Sequence, residues 1–365
     1  MRLLFFTAAL IASVMGCSNS GNERSPTVGD GEPAASAAGR IVILTNGDDP
    51  FWDACEAGAT AAADEFGLGD DRLSLTFERA DFTVERQVNM LRGYRLAGDV
   101  RGVGVSVVDG SAKAIADELE ALAEAGIKVI TIDGDVDRDR YRDARIAYLG
   151  TENIEAGREL GKAAAALQPN GGKVCTFVGV KSAANAVARI QGFIEGAGDK
   201  FEHIETVADG SDQAKARDYV RDALQRHQEL DTLVGIWAYN APACVAVAED
   251  MDRLDDVAIY SVDAAELTIR AMQEGKLDVM VVQNPFEMGR LGVQMLHALV
   301  TGDDATVATL YPDLQSPDGD LRRTGLRVVV PEDTTLTADL FGEQTEFMTL
   351  PDFQAWLAEY GLKSS

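Results

Sequence analysis

Residues 41–66 read IVILTNGDDPFWDACEAGATAAADEF. Ile41 to Thr45 form an unbroken apolar and β-branched run, closed by the polar turn Asn46-Gly47-Asp48-Asp49-Pro50. A short apolar run bounded by turn residues predicts a strand buried on both faces. The stretch that follows places alanines at helical spacing behind Phe51 and Trp52, predicting a helix over 51–66. The same unit recurs outward from here. Strands are expected at 73–77, 102–108 and 128–132, separated by helices at 84–97 and 111–125. The pattern restarts at Ile146 to Leu149, with helices at 153–167, 184–198, 212–227, 241–253, 264–274 and 286–301. Strands at 173–178, 203–208, 232–236, 257–262 and 277–282 alternate with them, and one at 326–330 closes the series.

Unbroken apolar strands alternating with helices specify parallel sheets covered on both faces. About ten such units exceed a single ordinary sheet, and the restart near residue 150 implies two doubly wound α/β lobes. A length of 365 residues agrees with roughly two domains. Lys plus Arg number 33 against 60 Asp plus Glu, a formal charge of −27, and such a surface repels nucleic acid. His203, His227 and His297 are not spaced as a metal pair, and no HExxH helix, GxSxG elbow or Walker lysine loop is present. Asp133-Gly-Asp135-Val-Asp137 lacks the glycine and glutamate that an EF-hand calcium loop needs, having Arg138 and Ala144 instead. Four cysteines cannot form a disulfide scaffold. Cys55, Cys175 and Cys244 fall in apolar surroundings and read as small buried thiols, a Cys175–Cys244 bridge being the alternative.

The first sixteen residues read as a signal peptide: Arg2, then a run of about 13 apolar residues, too short to span a bilayer. Gly16-Cys17 resembles the lipobox of bacterial lipoproteins, which makes Cys17 the expected lipidation site. Residues 17–39 are rich in Ser, Gly, Pro and Ala without apolar periodicity, and read as a flexible tether of about 25 Å reach.

In open α/β sheets, ligands bind beyond the C-terminal ends of the strands. Those positions hold Asp49, Phe51, Trp52, Ser106, Asp109, Asp133 and Asp135 in the first half, and Asn185, Arg189, Trp237, Tyr239, Asn240, Asp263, Gln283 and Asn284 in the second. Any one Asp or Asn there could be only a helix N-cap, and Phe51 and Trp52 could be core. Carboxylates, amides, one arginine and aromatic faces together suit a polyhydroxylated ligand, whose hydroxyls both donate and accept while its C–H face stacks on a ring.

The chain resembles the substrate-binding proteins of sugar ABC transporters, in the type I periplasmic-binding group that includes ribose- and galactose-binding proteins. The stretches that carry this are IVILTNGDDPFWDACEAGA, KVITIDGD, YLGTENIEAG, NAVARIQGFIEG, WAYNAPA, IYSVDA and GKLDVMVVQNPFEMG. The resemblance implies two lobes, 40–149 plus 285–322 and 150–284 plus 323–365, joined by a hinge of three crossings and closing on a monosaccharide. By matching position it implies ligand contacts from Asp49, Phe51, Trp52, Asp133, Asn185, Arg189, Asn240, Asp263 and Gln283, with Trp237 or Tyr239 covering the second ring face. Gly134 and Val187 stand where the ribose-type pattern has arginines, which counts against ribose itself. The implied function is an exported, non-enzymatic, monomeric binding protein without a cofactor, anchored through Cys17 on the periplasmic or cell-surface side and delivering sugar to an ABC permease. A sensory receptor of the same fold, serving a chemoreceptor or kinase, is the alternative. A sugar-modifying enzyme would need its acid and base from carboxylates such as Asp133 and Asp263.

Replacing Cys17 by serine should abolish lipid attachment. Metabolic lipid labelling of the variant checks this, and a Cys17→Ser chain that still carries lipid would refute the anchor.

Overall fold

The structure, a computed structural model, describes residues 39–365. The signal peptide, Cys17 and nearly all of the tether lie outside them. The order of elements is β1 (Gly39–Leu44), α1 (Phe51–Glu65), β2 (Leu73–Glu78), α2 (Val84–Ala97), β3 (Val100–Val105), α3 (Lys113–Glu124), β4 (Lys128–Ile132), α4 (Arg138–Tyr141) and β5 (Ala147–Thr151). It continues with α5 (Asn153–Leu167), β6 (Gly172–Val178), α6 (Ala184–Ala197), β7 (Phe201–Ala208), α7 (Gln213–Arg226), β8 (Thr232–Gly235), α8 (Asn240–Asp250), β9 (Ala258–Val262), α9 (Glu266–Gln273) and β10 (Val279–Val282). Last come α10 (Pro285–Thr301), α11 (Asp304–Leu310), β11 (Leu321–Thr324), β12 (Leu326–Val330), β13 (Thr345–Thr349) and α12 (Leu350–Glu359).

Two sheets result, one ordered β11-β5-β4-β3-β1-β2 and the other β13-β12-β10-β9-β8-β6-β7. The expected α/β architecture is present. Strand pairing is parallel except between β10 and β12, which run antiparallel. The chain passes between the sheets three times: after β5, after β10 and between β11 and β12. The central strands are buried on both faces, which is why they read as unbroken apolar runs. Elements α4, α11, β11, β13 and α12 were absent from the sequence expectation. Each is short or lies at a sheet edge, where periodicity carries little signal.

Local chemistry sets the helix ends. Thr83 accepts from the Arg86 N–H at the start of α2, and Gly98 ends it in the left-handed region. Asn284 caps α10 with Pro285 in its first turn, and Gly302 closes it. Glycines also set helix spacing. A Cβ at Gly157 of α5 would lie 2.0 Å from the Arg189 carbonyl oxygen, and one at Gly192 of α6 would lie 2.0 Å from that of Ile154. The two backbones therefore touch, which fixes where α6 presents Arg189. Cys55, Cys175 and Cys244 are buried free thiols.

A buried ion cluster ties the end of β4 to the start of β11. Arg145, fully covered, binds Asp135 through Nε at 3.0 Å and Nη2 at 2.6 Å, and also binds Asp320. Arg138 and Arg142 reach the other Asp320 oxygen at 3.1 and 3.2 Å. Burial pushes the Asp320 carboxyl up, but the Arg145 hydrogen bond and these three guanidinium charges outweigh it and hold the group below the usual carboxylate range. Removing one member leaves a buried charge without its partner. Asp320→Ala should therefore cost about 3–5 kcal/mol of stability, measured by urea unfolding. A loss below about 1 kcal/mol would show that water screens the cluster.

Candidate functional site

Asp133 and Asp263 occupy equivalent places in the two sheets. Each follows the last residue of its strand (β4 and β9) and has a left-handed backbone, φ 63° and 68°. Each donates its N–H to the neighbouring strand, Asp133 to the Leu149 carbonyl and Asp263 to that of Val281, both at 2.9 Å. Aspartate tolerates this conformation better than most residues, and a non-glycine keeps it only where the surroundings enforce it.

On the second sheet the polar groups form one chain. Arg189, 2% exposed, donates Nε to Asn153 Oδ1 at 2.9 Å and Nη1 to the Ile236 carbonyl at 3.1 Å, with Asp263 Oδ2 3.5 Å away. Gln283 donates Nε2 to Asp263 Oδ1 at 2.8 Å. That bond fixes the amide orientation, so Gln283 Oε1 is buried without a partner. Asn185 Oδ1 and Trp237 Nε1 are likewise buried and unpartnered. Tyr239 and Asn240 are engaged elsewhere. Tyr239 donates to Asp209 Oδ1 at 2.6 Å, and Asn240 donates to Asp209 Oδ2 at 3.1 Å while accepting from the Trp237 N–H at 3.0 Å. Both therefore hold the turn that carries Trp237.

On the first sheet, Asp49 Oδ1 accepts the Phe51 N–H at 2.9 Å, closing the turn that leads into α1. Phe51 is half-buried, and Trp52 packs edge-on against it, 5.0 Å between centroids and 2% exposed. Trp52 thus buttresses the accessible ring. Ser106 Oγ accepts the Gly134 N–H at 3.2 Å and lies 3.5 Å from Asp133 Oδ2. Gln87 holds this turn from below, donating to the Ser106 carbonyl at 2.7 Å and accepting from the Val108 N–H at 3.0 Å. Asn46 Oδ1, just past β1, is another buried oxygen without a partner. Gly134 admits no side chain, since a Cβ there would lie 2.5 Å from the Val107 carbonyl oxygen.

The carboxyls of the two sheets sense one another. Desolvation pushes Asp133 up to about 6; Arg189 opposes the rise, Asp263 adds to it, and the Ser106 hydrogen bond opposes it. Desolvation also raises Asp263, countered by Arg189 and the Gln283 hydrogen bond and reinforced by Asp49. The structure therefore gathers Asp49, Ser106, Asp133, Arg189, Asp263 and Gln283 at facing strand ends. Sequence reasoning missed Asp209, Asn153 and Gln87. Asp209 directly follows β7, the same strand-exit position as the others. Asn153, two residues past β5, likewise stands at a strand exit, whereas Gln87 lies inside α2 and carried no such signal.

Asp133 in the folded chain binds its proton more tightly than in the unfolded chain, so above about pH 6 its charge works against folding. That penalty fades as pH falls through 6 toward the usual value of 3.8. Asp133→Asn should raise the melting temperature of the ligand-free protein near neutral pH, with the gain shrinking by about pH 5. An equal gain at both pH values would refute the assignment.

A family profile described as a periplasmic binding protein domain matches residues 39–304. The ribose import binding protein of Escherichia coli (strain K12) is 22% identical over 277 residues, covering 74% of this chain and 87% of that protein. Among solved structures, an ABC transporter solute-binding protein from Burkholderia graminis in complex with D-arabinose superposes with a TM-score of 0.67 at 24% identity, covering 84% of this chain and 99% of that one. GanP, a glucose-galactose binding protein from Geobacillus stearothermophilus, gives a TM-score of 0.68 at 25% identity, with 82% and 100% covered. With two α/β sheets, polar strand ends that face each other and a profile match over most of its length, this chain belongs to the periplasmic binding protein domain family.

Proposed function

We propose that this chain is the extracytoplasmic sugar-binding component of an ABC importer, holding a monosaccharide between its two sheets and delivering it unchanged to a permease. The observation that carries this is the set of buried, unpartnered polar atoms at strand ends of both sheets: Asn46 Oδ1, Asn185 Oδ1, Trp237 Nε1 and Gln283 Oε1. Other buried atoms among the described residues also lack partners, Arg95 Nε and Thr268 Oγ1 among them, but these four gather near the strand exits of both sheets, where a ligand that donates and accepts at several points would satisfy them. Sugar hydroxyls do both, and Phe51 offers a ring face. Gln283 at 2.8 Å and Arg189 at 3.5 Å orient the Asp263 carboxylate and leave it lone pairs for ligand hydroxyls, an arrangement suited to holding a ligand. Burial raises the Cys55 thiol far above its usual range and keeps it an unreactive core group.

The relatives support this reading by their names, which include a ribose import binding protein and sugar-binding proteins of ABC transporters. The lobes we propose follow the sheets, 39–151 plus 285–324 and 152–284 plus 325–365. The expected boundaries at 149/150 and 322/323 thus move past the ends of β5 and β11, strands of the first sheet. The lobes move about the three crossings as a monomer, with Cys17 supplying a lipid anchor. No helix among the described residues is long and apolar enough to cross a membrane. Asp49, Asp133 and Asp263 outnumber Arg189, so the site favours neutral sugars over uronates or sugar phosphates.

A thermal-shift screen of the full chain against neutral and anionic monosaccharides tests the proposal. A ligand at 100 times its Kd stabilises by about 2.7 kcal/mol, and only neutral sugars should reach that. Stabilisation by none of the neutral pentoses or hexoses would overturn the sugar reading. Asp263→Ala should weaken the best sugar about 10- to 150-fold, because hydroxyls are left buried without an acceptor and Arg189 without its partner.

A further inference from the structure

Residues 345–365 contribute nothing to the cleft described above, yet their contacts converge on it. Leu350, Phe353 and Leu357 of α12 join the apolar core beneath the second sheet. Trp356 and Tyr360, on another side of the helix, meet the ring of Phe286 with centroids 6.1 and 4.2 Å away. The Arg327 guanidinium lies 4.1 Å from the centroid of the Trp356 ring. Phe286 belongs to the second crossing, and its backbone is seated on α1, because a Cβ at Gly58 would lie 1.9 Å from the Phe286 carbonyl oxygen. Arg327 stands in β12, just past the third crossing. The main chain of Phe286 thus rides with the helices of the first sheet while its ring is held by a helix of the second.

Past α12 the chain turns at Gly361, φ 66°, and the Leu362 N–H donates to the Leu357 carbonyl at 2.8 Å. It then runs to Ala264, where the two backbones exchange hydrogen bonds: Ala264 N–H to Ser365 O at 3.1 Å and Ser365 N–H to Ala264 O at 3.3 Å. Ala264 directly follows Asp263, the left-handed site carboxylate. Ser364 and Ser365 are both buried.

We propose that residues 345–365 are a hinge brace. The rings of Trp356 and Tyr360 on Phe286 set the angle between the sheets, and residues 362–365 hold the Asp263 loop in its left-handed conformation. These are positioning residues for ligand binding, touching no ligand themselves. Covering the edge of β12 accounts only for β13, through its parallel pairing, and not for α12 or residues 360–365. The proposal rests on the two-lobe reading above, and the following measurements fail separately from it.

In a chain carrying Cys17→Ser, dyes placed through Glu120→Cys on α3 and Asp222→Cys on α7, both exposed, report the separation of the sheets without ligand, the other three native thiols, Cys55, Cys175 and Cys244, being buried. Phe286→Ala should shift and broaden the single-molecule energy-transfer distribution toward longer separations, and Phe286→Tyr should match the parent. If Phe286→Ala fails to fold, Phe286→Leu, which keeps most of the volume without the ring, carries the test. Deleting residues 362–365 should speed hydrogen exchange at the Asp263 and Ala264 amides by about tenfold or more, leaving Val281 and Val282 as in the parent. Parent-like separations in the folded ring-less variant, or parent-like exchange at 263 and 264 after the deletion, would overturn the brace. A parent whose separation stays the same with saturating D-ribose, D-galactose, D-glucose and L-arabinose would instead count against the clamp itself.

Discussion

The contact on which most of the site depends is that of the Arg189 guanidinium with Asp263. Burying an arginine is costly unless its donors are matched, and here a helix-start amide, a strand-end carbonyl and a carboxylate meet those of Nε and Nη1. Asn153 opens α5, Ile236 follows β8 and Asp263 follows β9, so one side chain fixes the relative placement of three elements. The carboxylate in turn orients Gln283 at the second crossing. The small residues between α5 and α6 are what make this possible, since any Cβ at Gly157 or Gly192 would push Arg189 out of reach.

The first sheet answers with a different arrangement. Asp133 has no cationic partner at ion-pair distance, only a serine hydroxyl at 3.5 Å, and Gly134 beside it cannot carry a side chain. The cation whose field reaches it is Arg189 of the second sheet, while Arg145 is bound to Asp135 and Asp320 and ties the end of β4 to the start of β11. One strand end thus splits its duties: Asp135 anchors the loop, and Asp133 is left with acceptor capacity in a poorly solvated place. Such a group lowers the stability of the empty protein and gains most from a ligand hydroxyl, a common compromise where function needs an unsatisfied group.

Much of the site was legible because strand exits in parallel sheets are where ligands bind, and Asp49, Ser106, Asp133, Asp263 and Gln283 all sit there. The reading was weaker on how each side chain is employed. Asn240 and Tyr239 look like ligand groups in sequence, but Tyr239 Oη and Asn240 Nδ2 both go to Asp209, a partner about thirty residues away, and Asn240 Oδ1 accepts the Trp237 N–H. Trp52 and Phe51 are adjacent and alike, and only packing makes one a buttress and the other an accessible face. Nothing in the spacing of Gln87 announces a role, because its partners, around Ser106 and Val108, come from another element.

By itself, the sequence determined the succession of strands and helices and the α/β class. Those follow from local periodicity, buried apolar runs and caps such as Thr83 and Asn284, all encoded within a few residues. The tertiary structure alone decided that β11 returns to the first sheet, that β12 runs against β10, and that residues 345–365 fold back to Ala264 and Phe286. These outcomes rest on edge pairings and aromatic contacts between segments far apart in the chain, where burial competes among several possible partners and no local pattern selects one.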